Sequence, residues 1–128
     1  MVPAGPSLCD VKFVDDATQD GFSRAILEFK WYLQGAYYLD GYNQAFPADQ
    51  KSQFVFFAVE KTPPYPVVTH VLDHAAFMRG RIEYIDLLNL FAKCSAENKW
   101  PKTSAIYPAM PVVTGLPKWA NKIEVPHA

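Results

Sequence analysis

LCDVKFVDDATQDGFSRAILEFKWYLQGAYYLDG, residues 8–41, is the stretch on which the reading turns. It opens with an apolar run, Leu8 to Val14, that carries one acid and one lysine two positions apart, Asp10 and Lys12. Side chains alternate on a strand, so both point to the same face. Asp15, Asp16, Thr18 and Asp20 then supply turn and N-cap chemistry. From Gly21 to about Gly41, Phe22, Ala25, Ile26, Phe29 and Leu33 recur at helical spacing, followed by Ala36, Tyr37 and Leu39, which predicts one long helix. Gln34 and Tyr38 are four residues apart and share a face of that helix. Asp40-Gly41 reads as its stop and turn. An Asp-x-Lys strand followed by a Gln-x-x-x-Tyr helix can build one polar site.

Outward from this stretch, Met1 to Ser7 is an irregular arm with Pro3, Gly5 and Pro6. Gln53 to Glu60 (QFVFFAVE) is apolar and aromatic enough for a central strand. The prolines of KTPPYP make a turn, and Val67 to Leu72 is a further strand. Asp73 caps a second long helix, about His74 to Asn98, with Phe77, Ile82, Ile85, Leu88, Leu90 and Phe91 as its apolar stripe. Pro101 ends it. The fold class is α/β (α+β), in the order β-α-β-β-α. Two strands joined through a helix should be parallel, and a hairpin then adds an antiparallel strand. A single domain, 1–128, is expected, with its core at about residues 8–102 and an irregular, wrapping C-terminal tail at 103–128.

Composition narrows the function classes. The chain has 128 residues, half of them hydrophobic and 15% aromatic, enough for a core of large side chains. Its formal net charge of −1 gives no global basic field for nucleic acid, which leaves only a local site. No apolar run approaches a membrane span. Cys9 and Cys94 read as free thiols of a reducing compartment, and a cytoplasmic location is expected.

Each candidate has a plain structural reading beside the functional one. Asp-x-Lys occurs on many solvent-facing strands, but charged groups in a central strand are seldom buried unless paired or functional. A carboxylate there can ligate a hard divalent cation, and a lysine beside it can orient a water or neutralise a phosphate oxygen. Gln34 and Tyr38 either satisfy one another or face the strand. Trp31, Tyr32 and Tyr37 read as core rather than as a base-stacking platform. His70, His74 and His127 lack metal-ligand spacing. Arg79-Gly80-Arg81 reads as a solvated helix face.

The sequence DVKFVDDATQDGFSRAILEFKWYLQGAYYLDGYNQAF resembles the central motif of RecE-like exonucleases (exodeoxyribonuclease VIII), a phage and prophage branch of the PD-(D/E)XK nuclease superfamily. Asp10 and Lys12 match that family's Asp-x-Lys, and Asp16-Ala17 the dipeptide after it. Gln34 and Tyr38 match Gln-x-x-x-Tyr, and Asp40-Gly41 the turn that follows. FVFFAVEKTPPYPV resembles the next strand and turn. The resemblance covers about residues 8 to 102 and implies a truncated restriction-endonuclease-like core with a small mixed sheet. It implies Mg²⁺- or Mn²⁺-dependent phosphodiester hydrolysis of linear double-stranded DNA, in a bacterial host cell. Asp10 would be a metal ligand, Lys12 would position the attacking water, and Gln34 and Tyr38 would support substrate or metal. The family's further acidic ligand lies upstream of Asp-x-Lys, and residues 1–7 hold no carboxylate. Asp-x-Lys is followed in the family by Thr-Thr and here by Phe13-Val14.

Three readings follow. One is a RecE-like nuclease whose missing acid is supplied by another chain or a longer parent. A second is an inactive, nuclease-derived binding protein, such as an anti-CRISPR-like phage inhibitor of host defence, engaging a protein partner through an exposed strand edge. The third is a homo-oligomer paired through that edge.

Overall fold

The computed structural model describes residues 4–101 and 113–117. Its elements are β1 (Ser7–Val14), α1 (Gln19–Glu28), α2 (Trp31–Ala45), β2 (Gln53–Glu60), β3 (Val67–Val71) and α3 (His74–Glu97). They build a mixed α/β fold with a three-stranded sheet in the order β1-β2-β3. As expected for strands joined through helices, β1 runs parallel to β2, with Asp10 opposite Phe56 and Lys12 opposite Ala58. The β2–β3 hairpin is antiparallel, with Phe56 opposite His70. The chain divides into two compact units, residues 1–93 and 94–128. Of the second, the described residues are the end of α3 through Pro101 and the stretch 113–117, which forms no helix or strand. Most of the expected tail, 103–112 and 118–128, lies outside the described residues.

The core of the first unit follows from strand alternation. Leu8 and Val14 of β1 and Phe54, Phe56 and Ala58 of β2 lie on one face of the sheet and are buried with Phe22 of α1 and Leu39 of α2. Asp10 and Lys12 sit between Leu8 and Val14 on that same face. The opposite face carries exposed apolar residues, among them Val11, Phe13, Val67 and Val71.

The expected single helix over 21–41 is two helices. α1 ends at Glu28, and Lys30 takes a left-handed conformation (φ 54°) before α2 begins. At about 100° per residue, an unbroken helix would place Tyr32 and Ala36 some 80° around the axis from Phe22 and Ile26. The break lets Phe22 on one helix and Tyr32, Ala36 and Leu39 on the other all be buried, while Phe29, expected in the stripe, is exposed. Asp40-Gly41 does not stop the helix; α2 continues through it to Ala45. Asp40 is held in mid-helix by Arg81 and Tyr84 instead of turning the chain.

α3 packs on α2. At Gly80 a Cβ would lie 2.4 Å from the carbonyl oxygen of Tyr32, so only glycine allows this approach. Two polar clasps flank the contact. Glu83 accepts hydrogen bonds from Lys30, Tyr32 and Arg79. Asp40 accepts from Arg81 and Tyr84. Asp73 caps α3 as expected, accepting from the Ala76 amide at 2.7 Å. Of the stripe expected on this helix, Phe77 packs against the core, whereas Ile82, Ile85, Leu88, Leu90 and Phe91 are all largely exposed.

Candidate active site

β1 and α2 bring three of the four expected residues into one hydrogen-bonded trio. Lys12 Nζ lies 2.8 Å from Asp10 Oδ2 and donates to Gln34 Oε1 at 2.9 Å. Gln34 Nε2 donates to the same Asp10 Oδ2 at 3.2 Å. The amide of Gln34 thus reads both partners at once, its oxygen to the ammonium and its N–H to the carboxylate. Lys12 Nζ also sits 4.9 Å from the centre of the Trp31 ring, a cation–π contact. Side-chain exposures of 17% for Lys12 and 31% for Asp10 leave the pair reachable from solvent. Both contacts to Asp10 use Oδ2.

Tyr38 stands one turn beyond Gln34 but is not hydrogen-bonded to the trio. It is half exposed and lines a cavity of about 630 Å³ that begins at Asp10 and runs along α2. Tyr37, Gly41, Tyr42 and Phe46 line it too. Of the aromatics expected in the core, Tyr32 is buried and Trp31 packs against the core, but Tyr37 is 46% exposed. Tyr42 and Phe46 were not singled out by the sequence. Ending the helix at Gly41 hid the regular four-residue spacing of Tyr38, Tyr42 and Phe46. The Trp31 contact was also hidden, because it depends on where α2 restarts.

The other candidates are accounted for elsewhere. Arg79 and Arg81 are not a free solvated face: they pair with Glu83 and Asp40. His70 stacks on Phe22 and hydrogen-bonds the carbonyl of Ala17. Glu60 accepts from the Ala17 amide and Asp73 caps α3, so neither carboxylate joins Asp10. Cys9 and Cys94 are buried free thiols.

Among the described residues no three His, Cys, Asp or Glu side chains gather into a metal-binding group. Mg²⁺ is commonly held by one or two carboxylates together with substrate phosphates and waters. Asp10 therefore fits as one ligand of such a cation, and the trio is not a complete metal site by itself.

The site thus consists of Asp-x-Lys on the parallel strand of a small mixed sheet, met by a glutamine of α2. Residues 1–107 match the family model described as a PDDEXK-like domain of unknown function (DUF3799), and the chain belongs to that family. This makes it a member of the PD-(D/E)XK nuclease superfamily, whose enzymes typically use divalent metals. No curated protein matches it. Among the described residues no helix is long and apolar enough to cross a membrane.

Proposed function

We propose that this protein is a RecE-like exonuclease of phage or prophage type, hydrolysing linear double-stranded DNA with Mg²⁺ or Mn²⁺. The observation that carries the reading is the Asp10–Lys12–Gln34 trio on the helix-facing side of β1. In it, Asp10 contributes one oxygen ligand to the cation. Lys12 donates to the attacking water or to a non-bridging phosphate oxygen, and its charge offsets the charge that develops on phosphorus-bound oxygen. Gln34 fixes the direction of the lysine. Tyr38 lies beside the DNA path. The cation, when bound, supplies Lewis-acid polarisation of the phosphate and an acidified water. The remaining acidic ligand would come from another chain or a longer parent.

The test compares linear with covalently closed double-stranded DNA, incubated with Mg²⁺ or Mn²⁺. The reading predicts release of mononucleotides from the linear form alone, abolished by EDTA. Absence of release at high enzyme concentration overturns it.

Two observations favour a second reading, a non-catalytic binding protein such as an inhibitor of host defence acting on a protein partner. One is the single carboxylate of the trio. The other is that β1, among the described residues, pairs on one side only and leaves an edge open to an added strand. Under this reading Asp10→Ala and Lys12→Ala leave partner binding unchanged.

A further inference from the structure

We infer that the aromatic cavity beside Asp10 binds the bases of a single nucleic-acid strand, with Gly41 as its floor. The inference rests on the nucleic-acid substrate class of the proposed function but not on catalysis. Three observations carry it. First, the cavity is continuous with the trio: Asp10 lines both, so a strand whose phosphate reaches Asp10 and Lys12 places its neighbouring bases here.

Second, the wall is a row of partly exposed, firmly held rings. Tyr38 and Phe46 are 52% and 53% exposed. Tyr42 lies between them, its ring 4.7 Å from that of Phe46 and its hydroxyl donating to Asp49 at 2.8 Å. Tyr37 is braced edge-on by Tyr84 at 5.4 Å. Bases stack on such rings without sequence preference, because every base offers a π-face. From Tyr38 to Ala45 the helix rises ~10 Å, enough for about three bases at ~3.4 Å spacing.

Third, Gly41 is a helix-interior glycine with no packing reason to be one. Glycine is, after proline, the least favoured residue in a helix interior. A Cβ added at Gly80 collides with the backbone of α2, yet one added at Gly41 meets nothing within 4 Å. Its missing side chain opens space into the cavity, as expected where a ligand approaches the helix backbone closely.

The test measures fluorescence anisotropy of a fluorescein-labelled oligothymidylate, and of an abasic strand of equal length, in Ca²⁺ buffer. The wild type is expected to bind the oligothymidylate at least about tenfold more tightly than the abasic strand, given the strength of base–aromatic stacking. Gly41→Leu fills the floor and is expected to erase that preference while melting no lower than wild type. Phe46→Ala removes the end of the wall and is expected to weaken it, and decides the matter should Gly41→Leu fold poorly. Equal binding of the two strands by wild type, or a preference undiminished in both variants, overturns the inference. Base preference without DNA cleavage keeps this inference and removes the hydrolase reading; cleavage without base preference does the reverse.

Discussion

Lys12 is constrained from three directions, by Asp10, by Gln34 and by the Trp31 ring. A half-buried ammonium needs such compensation, and the cost of ordering its long side chain is met before a substrate arrives. The shared face of Asp10 and Lys12 was legible from strand alternation, and Gln34 of α2 meets them on that face. The clasp at Glu83 was not legible, since its partners Lys30 and Tyr32 lie some fifty positions away. Hydrogen bonds from Tyr32, Lys30 and Arg79 lower the Glu83 carboxyl from 4.5 to about 2. A carboxyl depressed in the folded state adds stability that is fully present above about pH 4.5 and is lost as pH falls toward 2. Thermal melts of wild type and Glu83→Gln should therefore differ most above pH 5, with wild type the more stable, and converge toward pH 2. A gap that stays constant with pH would show that the clasp does not select the ionised form.

At the scale of elements, two glycines on packed helices make opposite predictions. At Gly80 an added Cβ meets the Tyr32 carbonyl oxygen at 2.4 Å and Ala36 Cβ at 3.0 Å, and rigid backbone cannot yield as a flexible side-chain tip would. Gly80→Ala should destabilise by about 1–3 kcal/mol through the forced shift of α3. At Gly41 the space is open, so Gly41→Ala should stabilise by up to ~1 kcal/mol. Urea unfolding midpoints of the two variants check both signs. Neither role was readable from sequence. Arg79-Gly80-Arg81 looked like a solvated face because its partners sit on another helix, and Asp40-Gly41 looked like a stop because Asp-Gly usually turns a chain. The split between α1 and α2 was missed for a related reason: the apolar spacing of Phe22, Ile26, Phe29 and Leu33 fits one helix. Only the need to bury Phe22 and Tyr32 together reveals the left-handed residue at Lys30.

For the whole molecule, the strand pattern was legible because apolar runs bounded by prolines and acidic turns leave few pairings. A parallel β1–β2 pair followed by an antiparallel hairpin is what the connections allow. Among the described residues β1 is an edge strand, and its back face leaves Val11 and Phe13 exposed, which alternation alone did not reveal. The same open edge separates the two functional readings, since an added strand can either complete a catalytic site or form a binding interface. The most direct measurement is the rate of Mn²⁺-dependent digestion of linear double-stranded DNA by wild type and by Lys12→Met, each shown to be folded by its melt. Wild type should digest the DNA, and the variant should be at least about 100-fold slower, the scale of a lost proton-transfer or water-positioning group. Digestion at the same rate in both, or none by wild type, would contradict the nuclease reading.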